Sequence, residues 1–224
     1  MLKVTYHGHS CFIVDDGKSR VIIDPFLSGN PNSGLAPADV KVDAVLVTHG
    51  HSDHVGDAVE ISKNCGVPVI SVYEVVGYCQ GKGATGHAMH IGGSHQFPFG
   101  RVKLTIAHHG STTEAGAAGN PCGILLTMGS KTVYHAGDTG LFLDMKLIGE
   151  RNRLDLALLP IGDNFTMGPD DALAAIEFLQ PDTVVPMHYD TWDVIRQDPY
   201  SFADRGKKFA DVKVLKAGQF LEIR

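Results

Sequence analysis

VTHGHSDHVGD, residues 47–57, decides how the rest of the chain is read. His49, His51, His54, Asp53 and Asp57 all fall within it, directly behind the apolar run VDAVLV. Such a run suits a strand buried on both faces, and its end is a rigid point from which to launch a loop. Alternate side chains of extended backbone share a face. His49 and His51 therefore converge on one spot, while Asp53 and His54, just beyond, reach a second. Imidazole and carboxylate together suit zinc, manganese, iron or nickel. A solvated polar loop is the competing reading. A lone histidine would favour it; this spacing behind a buried strand does not. Asp57 reads as an acid in the first turn of the next helix.

A metal centre needs more donors than one loop supplies, and other strand ends offer them. IAHHGS carries His108 and His109, YHAGDTG carries Asp138 and VVPMHYD carries His188. Each follows an apolar or β-branched run. Four strand ends bearing His or Asp would gather on one edge of a layered fold. His7 and His9 flank Gly8 at a further strand end. They line the same edge, or tie the first strand to the histidine loop. His87 and His95 lie in a Gly-rich stretch and read as surface loop; His90, in MHIGG, has a slightly stronger claim to a role. GDNFTMGP, residues 162–169, is a polar loop whose Asp163 and Asn164 are placed to contact a substrate or a histidine.

The surrounding chain reads as strands with helices between them. KVTYHG, CFIVDD and RVIIDPF are short and β-branched or aromatic, with Asp16-Gly17 as a hairpin turn. DAVEISKNCG is a helix ending at Gly66, followed by the strand VPVISV and a helix near residues 74–80. RVKLTIAHHG, CGILLTM and KTVYHAGD give a second run of strands. LFLDMKLIGER, PDDALAAIEFL and residues 200–209 are helical; LDLALLP, TVVPMH, VKVLKA and FLEIR are strands. Two packed sheets with helices outside follow, an α/β (α+β) layered domain spanning 1–224. A weak division into halves falls between residues 110 and 130.

Of 224 residues, 43% are hydrophobic and 20% charged, enough for a substantial core. The net charge of −6 and the lack of any basic run argue against a nucleic-acid partner. The start MLKVTYHGHSCF has no basic region leading into an apolar stretch, and no run is long enough to span a membrane. A cytoplasmic protein is expected. The scattered Cys11, Cys65, Cys79 and Cys122 form no CxxC pair and read as reduced thiols.

H-x-H-x-D-H, a strand-end His, the Asp of HAGDT and a late strand-end His together resemble the metallo-β-lactamase superfamily. TYHGHSCFIV, IIDPFL, MHIGG, AGDTGLFLDMKLIGE and LPIGDNFTMGPDDA are more similar to its branch of small, largely unassigned metal-dependent hydrolases, near the ascorbate-phosphate lactonases. The similarity runs from Lys3 to Glu222. It implies a four-layer αββα sandwich with two divalent metal ions, zinc first, manganese, iron or nickel also suited. It implies His49, His51 and the third-motif histidine on one ion, Asp53, His54 and His188 on the other, and Asp138 bridging both. A histidine directly before Gly-Ser favours His109, with His108 its neighbour; alternation says only that the two point to opposite faces. The resemblance makes Asp24 a prop for the histidine loop, and His9 the better match of the His7/His9 pair.

The expected activity is hydrolysis of an ester, lactone or phosphodiester bond of a small molecule, with Asp53, His9 and His188 beside the reacting atoms. Two ions can share a hydroxide, lowering the pKa of water from about 15.7 toward about 7. No Gly-x-Ser-x-Gly elbow calls for a serine nucleophile. The alternatives are a metal-dependent nuclease or phosphodiesterase acting on nucleic acid, and a metal- or metabolite-binding protein without turnover. A homo-oligomer is left open.

Overall fold

The run ahead of the histidine loop folds as a fully buried strand in the middle of a sheet. The computed structural model describes residues 1–224. In chain order, β1 (Leu2–Tyr6), β2 (Phe12–Asp15) and β3 (Arg20–Ile23) form an antiparallel meander. Asp16 closes the turn between β2 and β3 by accepting the amides of Lys18 and Ser19. β4 (Ala44–Leu46), a single helical turn α1 (Ser52–Val55), α2 (Ala58–Cys65), β5 (Pro68–Val72), α3 (Tyr73–Gly81) and β6 (Thr85–Met89) follow. The chain then crosses to β7 (Ser94–Phe97) and β8 (Gly100–Ile106). A small ribbon, β9 (Thr112–Thr113) and β10 (Gly116–Ala117), precedes β11 (Cys122–Met128) and β12 (Lys131–His135). Last come α4 (Met145–Arg151), β13 (Leu156–Pro160), α5 (Pro169–Leu179), β14 (Thr183–Met187), α6 (Pro199–Gly206), β15 (Asp211–Val212) and β16 (Phe220–Ile223).

The first seven-stranded sheet has the order β16-β1-β2-β3-β4-β5-β6, the second β15-β14-β13-β12-β11-β8-β7. Each joins an antiparallel part to a parallel part: β3 to β6 run parallel in one, β12 to β15 in the other. Parallel strands must be buried on both faces, and AVL of β4 and LALLP of β13 are buried at every residue. Alternate residues serve different layers. On β13, Leu156 and Leu158 face the other sheet, while Ala157 and Leu159 face α5. α2 and α3 cover the outer face of the first sheet and α4, α5 and α6 that of the second, giving the αββα sandwich. α5 opens with Pro169 and two acids in its first turn; α2 stops at Gly66, whose φ of +69° suits the left-handed cap.

Three expectations need correction. The division between halves lies at residues 90–93, where the chain changes sheets, and not at 110–130. His87 and His95 are not in loop: they sit on β6 and β7, the edge strands of the two sheets, with rings 4.4 Å apart. Edge strands face solvent and are polar, so the apolar signal was missing there. Of VKVLKA, only Val212 is in a strand, paired with β14 for two residues.

Candidate metal centre

The sandwich brings one end of several strands together, and the chemistry-bearing residues sit there. Past β4, Thr48 and His49 are fully buried, His51 caps the N-terminus of α1, and Asp53 and His54 lie on that single turn. The turn replaces the extended loop expected from alternation and swings Asp53 and His54 to a second position. Gly56 ends it at φ +36°; a Cβ there would lie 2.4 Å from the Pro25 carbonyl, so only glycine lets the loop pass the end of β3.

Side-chain donors fall into overlapping groups, each within 4.8 Å: His49, His51 and His109; His9, Asp53, His54 and His188; and His49, His54 and Asp138. Asp138, just after β12, lies between them. One of its oxygens is 3.3 Å from His54 Nε2; the other is 2.9 Å from His188 Nε2 and 3.5 Å from His109 Nε2. His49 Nε2 and His51 Nδ1 face each other at 3.0 Å. Every residue named from the sequence as a ligand thus lies within this one cluster. His109 points in. His108 points away, its ring stacked on Phe142 at 5.1 Å and 15°.

A second layer of contacts fixes the rings. Asp24, fully buried at the end of β3, accepts from the Thr48 amide at 2.8 Å, the Thr48 hydroxyl at 2.7 Å and His54 Nδ1 at 2.8 Å. With the Thr48 hydroxyl given to Asp24, His49 Nδ1–H donates to the Thr48 oxygen at 3.0 Å. Both histidines are thereby held with Nε2 turned to the centre, the arrangement that orients ligating imidazoles. His9 bridges Thr191 Oγ1 at 2.8 Å and Asp53 Oδ2 at 3.1 Å. The His188 amide donates to the His9 carbonyl at 2.8 Å and the Cys122 amide to the Thr48 carbonyl at 3.0 Å, stitching the loops of the two sheets together. His9, Asp24 and His188 hold positive φ of 57°, 47° and 55°. Such strain on residues other than glycine concentrates at functional sites.

Burial and mutual charge set the protonation. Burial opposes charge on His54, but Asp138 and Asp24 overcome it and hold its pKa well above the ordinary value. Burial and the charge of His54 push His49 well down. Burial also lowers His109. Burial and His188 push His9 down to about 4, against the pull of Asp53, so His9 is neutral and donates from Nε2 to Asp53. Burial would raise Asp138, yet His188 and His54 hold it well below the carboxylate range. His54 Nε2, Asp138 Oδ1 and His188 Nδ1 are buried without a hydrogen-bond partner. Unsatisfied buried polar atoms are costly, and His54 Nε2 and Asp138 Oδ1 both point into the cluster. A cation there would satisfy them: the donor set, its burial and its negative charge fit divalent ions.

Other sequence candidates fall elsewhere. His7 lines a separate recess with Lys3, Arg20 and Lys41. His90 is exposed and accepts the amide of Ile91. Asp163 accepts the amide of Asn164 inside its own loop. Asp57 is no simple first-turn acid: from the N-cap of α2 it accepts the amides of Leu27 and Ser28 at 2.9 and 2.8 Å. Thr48, Thr191 and Trp192 went unnoticed in the sequence. Trp192 stands edge-on to His9 at 5.0 Å. Only adjacence to His49 and His188 in the chain could have drawn attention to them.

Residues 3–188 match the family model described as "Beta-lactamase superfamily domain". A UPF0173 metal-dependent hydrolase of Bacillus licheniformis is 54% identical over 229 residues, covering 100% of both chains. Another, from Pelotomaculum thermopropionicum, is 52% identical over 99% of this chain and 100% of its own. Among solved structures, Igni18, a metallo hydrolase from the hyperthermophilic archaeon Ignicoccus hospitalis, superposes with a TM-score of 0.91 at 38% identity, covering 98% of this chain and 97% of its own.

Proposed function

The chain belongs to the beta-lactamase superfamily domain family, and from that membership we propose that it is a hydrolase of small molecules whose site takes two divalent metal ions. A metal-dependent hydrolase of the metallo-β-lactamase fold is the activity its relatives share by name. Asp138 carries the binuclear reading: its carboxylate lies 3.5 Å from Nε2 of His109, a donor for one ion, and 3.3 and 2.9 Å from Nε2 of His54 and His188, donors for the other. His49, His51 and His109 would hold one ion, and Asp53, His54 and His188 the other. Zinc is the first choice, since imidazole and carboxylate suit it.

Bound there, such ions supply an activated water and polarise a substrate oxygen. The chain's own residues do the rest. Asp24 and Thr48 fix the tautomers of His54 and His49. His9 is fully buried with both ring nitrogens engaged, so it acts on Asp53 and not on substrate. Asp53 is one-fifth exposed and lines the mouth of the site, where a proton can be passed to or from the reacting groups. Burial raises the pKa of Asp53, but the His9 hydrogen bond and the charge of His54 outweigh it and keep the carboxylate ionised.

The scissile bond in this reading is an ester, lactone or phosphodiester. The net charge of −6 supports a small-molecule substrate over nucleic acid. Four unpaired cysteines, three of them buried, support a reducing compartment, the cytoplasm. No helix is long and apolar enough to cross a membrane. Metal analysis by mass spectrometry, followed by assays on p-nitrophenyl esters, lactones and bis(p-nitrophenyl) phosphate, tests the proposal. About two ions per chain and turnover lost in Asp138→Ala are expected. A chain that takes up no metal, or a fully loaded one that turns over none of these, overturns it.

A further inference from the structure

A cavity of about 430 Å³ opens beside the centre, lined on one side by His51, Ser52 and Asp53. Tyr78 of α3 forms the opposite wall, and Thr112, Thr113 and Glu114 of the β9–β10 ribbon form the third. The ribbon is seated on the histidine loop. The Gly50 amide donates to Ser111 Oγ, which donates to the Ala118 carbonyl. A Cβ on Gly50 would lie 2.7 Å from Ala118 and 2.9 Å from Thr113, so glycine is what lets the ribbon sit this close. At the far rim Lys82, following α3, donates to Glu114 and stands 5.0 Å over the Tyr78 ring.

The cavity wall therefore carries hydroxyl, phenol, imidazole and carboxylate groups beside the side chain of Val55. No lysine or arginine lines it. Lys82, outside the wall, is tied to Glu114 across the rim. An anionic group in the part of a substrate that does not react would find hydroxyl donors but no free lysine or arginine, and Glu114 would repel it. A neutral, hydrogen-bonding group meets no such opposition.

We propose that this cavity holds the non-reacting end of the substrate, and that the Lys82–Glu114 pair at its rim favours substrates whose non-reacting end is neutral over those in which it is anionic. The inference deepens the hydrolase reading above and rests on it. It also predicts opposite effects from the two partners of one ion pair. Removing Glu114 leaves Lys82 free to attract an anion; removing Lys82 leaves Glu114 unopposed. Loss of folding or of metal would move both variants the same way.

The test uses the metal-loaded full chain and its Glu114→Gln, Lys82→Gln and double variants. The measured quantity is the ratio of kcat/KM for mono-p-nitrophenyl adipate, whose free carboxylate lies at the non-reacting end, to that for its methyl ester. Relative to the unsubstituted chain, Glu114→Gln is expected to raise the ratio about fivefold and Lys82→Gln to lower it by about as much, the scale of one unpaired charge at a wet rim. The double variant returns to within about twofold. Single variants that shift the ratio in the same direction, or leave it within twofold, overturn the proposal. If neither substrate is turned over, the hydrolase reading fails. The rim is then judged by calorimetric binding of phenylphosphonate against benzamide. The same opposed pattern upholds the charge selection, and its absence overturns it.

Discussion

The two halves of the donor cluster are built differently. His49, His51 and His109 form an outer half: His51 and His109 are only partly covered, and the one side-chain hydrogen bond to either ring is that between His49 Nε2 and His51 Nδ1. Asp53, His54 and His188 form an inner half. His54 and His188 are 0% and 2% exposed, and Asp24, His9 and Thr191 brace it from behind. Charge differs as well. His49 and His109 are pushed toward the neutral form, whereas His54 is held protonated by Asp24 and Asp138. Like chemistry in the two halves thus comes with unlike support. The outer half is ready to take a cation as it stands; the inner half must first give up a proton.

Substituting the residue shared by both halves breaks the comparison most severely. Asp138→Ala should empty the inner half and weaken the outer, costing more than the about 10- to 100-fold that a supporting residue costs in metal affinity. Mass-spectrometric metal content and titration with a chromophoric chelator read this directly; unchanged content would show that Asp138 does not join the halves. Asp24→Asn is next. It keeps the shape but lets His54 lose its fixed tautomer, and an about 10- to 100-fold loss is expected in the inner half alone. Equal losses in both halves would mean that Asp24 acts through Thr48 on the whole loop.

The proton difference gives the third prediction. Because the folded pKa of His54 is raised, its charge stabilises the metal-free fold fully below the ordinary value of about 6.5 and is lost as pH climbs through the raised one. A ligating imidazole must be neutral, so filling the inner half at pH 7 should release a proton and its affinity should rise up to about tenfold per pH unit. Calorimetry of metal binding in two buffers of different ionisation enthalpy measures the release. Heats that agree between buffers for the second ion would refute it. The smallest effect belongs to Thr191→Val. It removes one hydrogen bond from His9, about 1 kcal/mol, and should weaken the inner half only a few-fold while leaving the outer half untouched.

The histidine loop, the strand-end acids and the buried parallel strands were legible because each carries a local signature: an apolar run, then a donor at fixed spacing. The two edge strands with His87 and His95 were not, since solvent-facing strands have no apolar alternation to find. The helical turn at Ser52–Val55 was hidden for another reason. It is held by the Pro25 carbonyl, which accepts the amide of Asp57, and by the close pass at Gly56, contacts made by the distant segment Pro25–Phe26.

By itself, the sequence determined the donor types, their order along the chain and the layered fold that gathers strand ends, because periodicity and residue chemistry are local. Only the tertiary structure decided that His109 faces inward while His108 stacks on Phe142, that His9 braces Asp53 while His7 lies in another recess, and that Asp24 holds His54. Each of those outcomes depends on the direction of a side chain toward a partner distant in sequence. Alternation narrows that direction to one of two faces, and packing chooses between them.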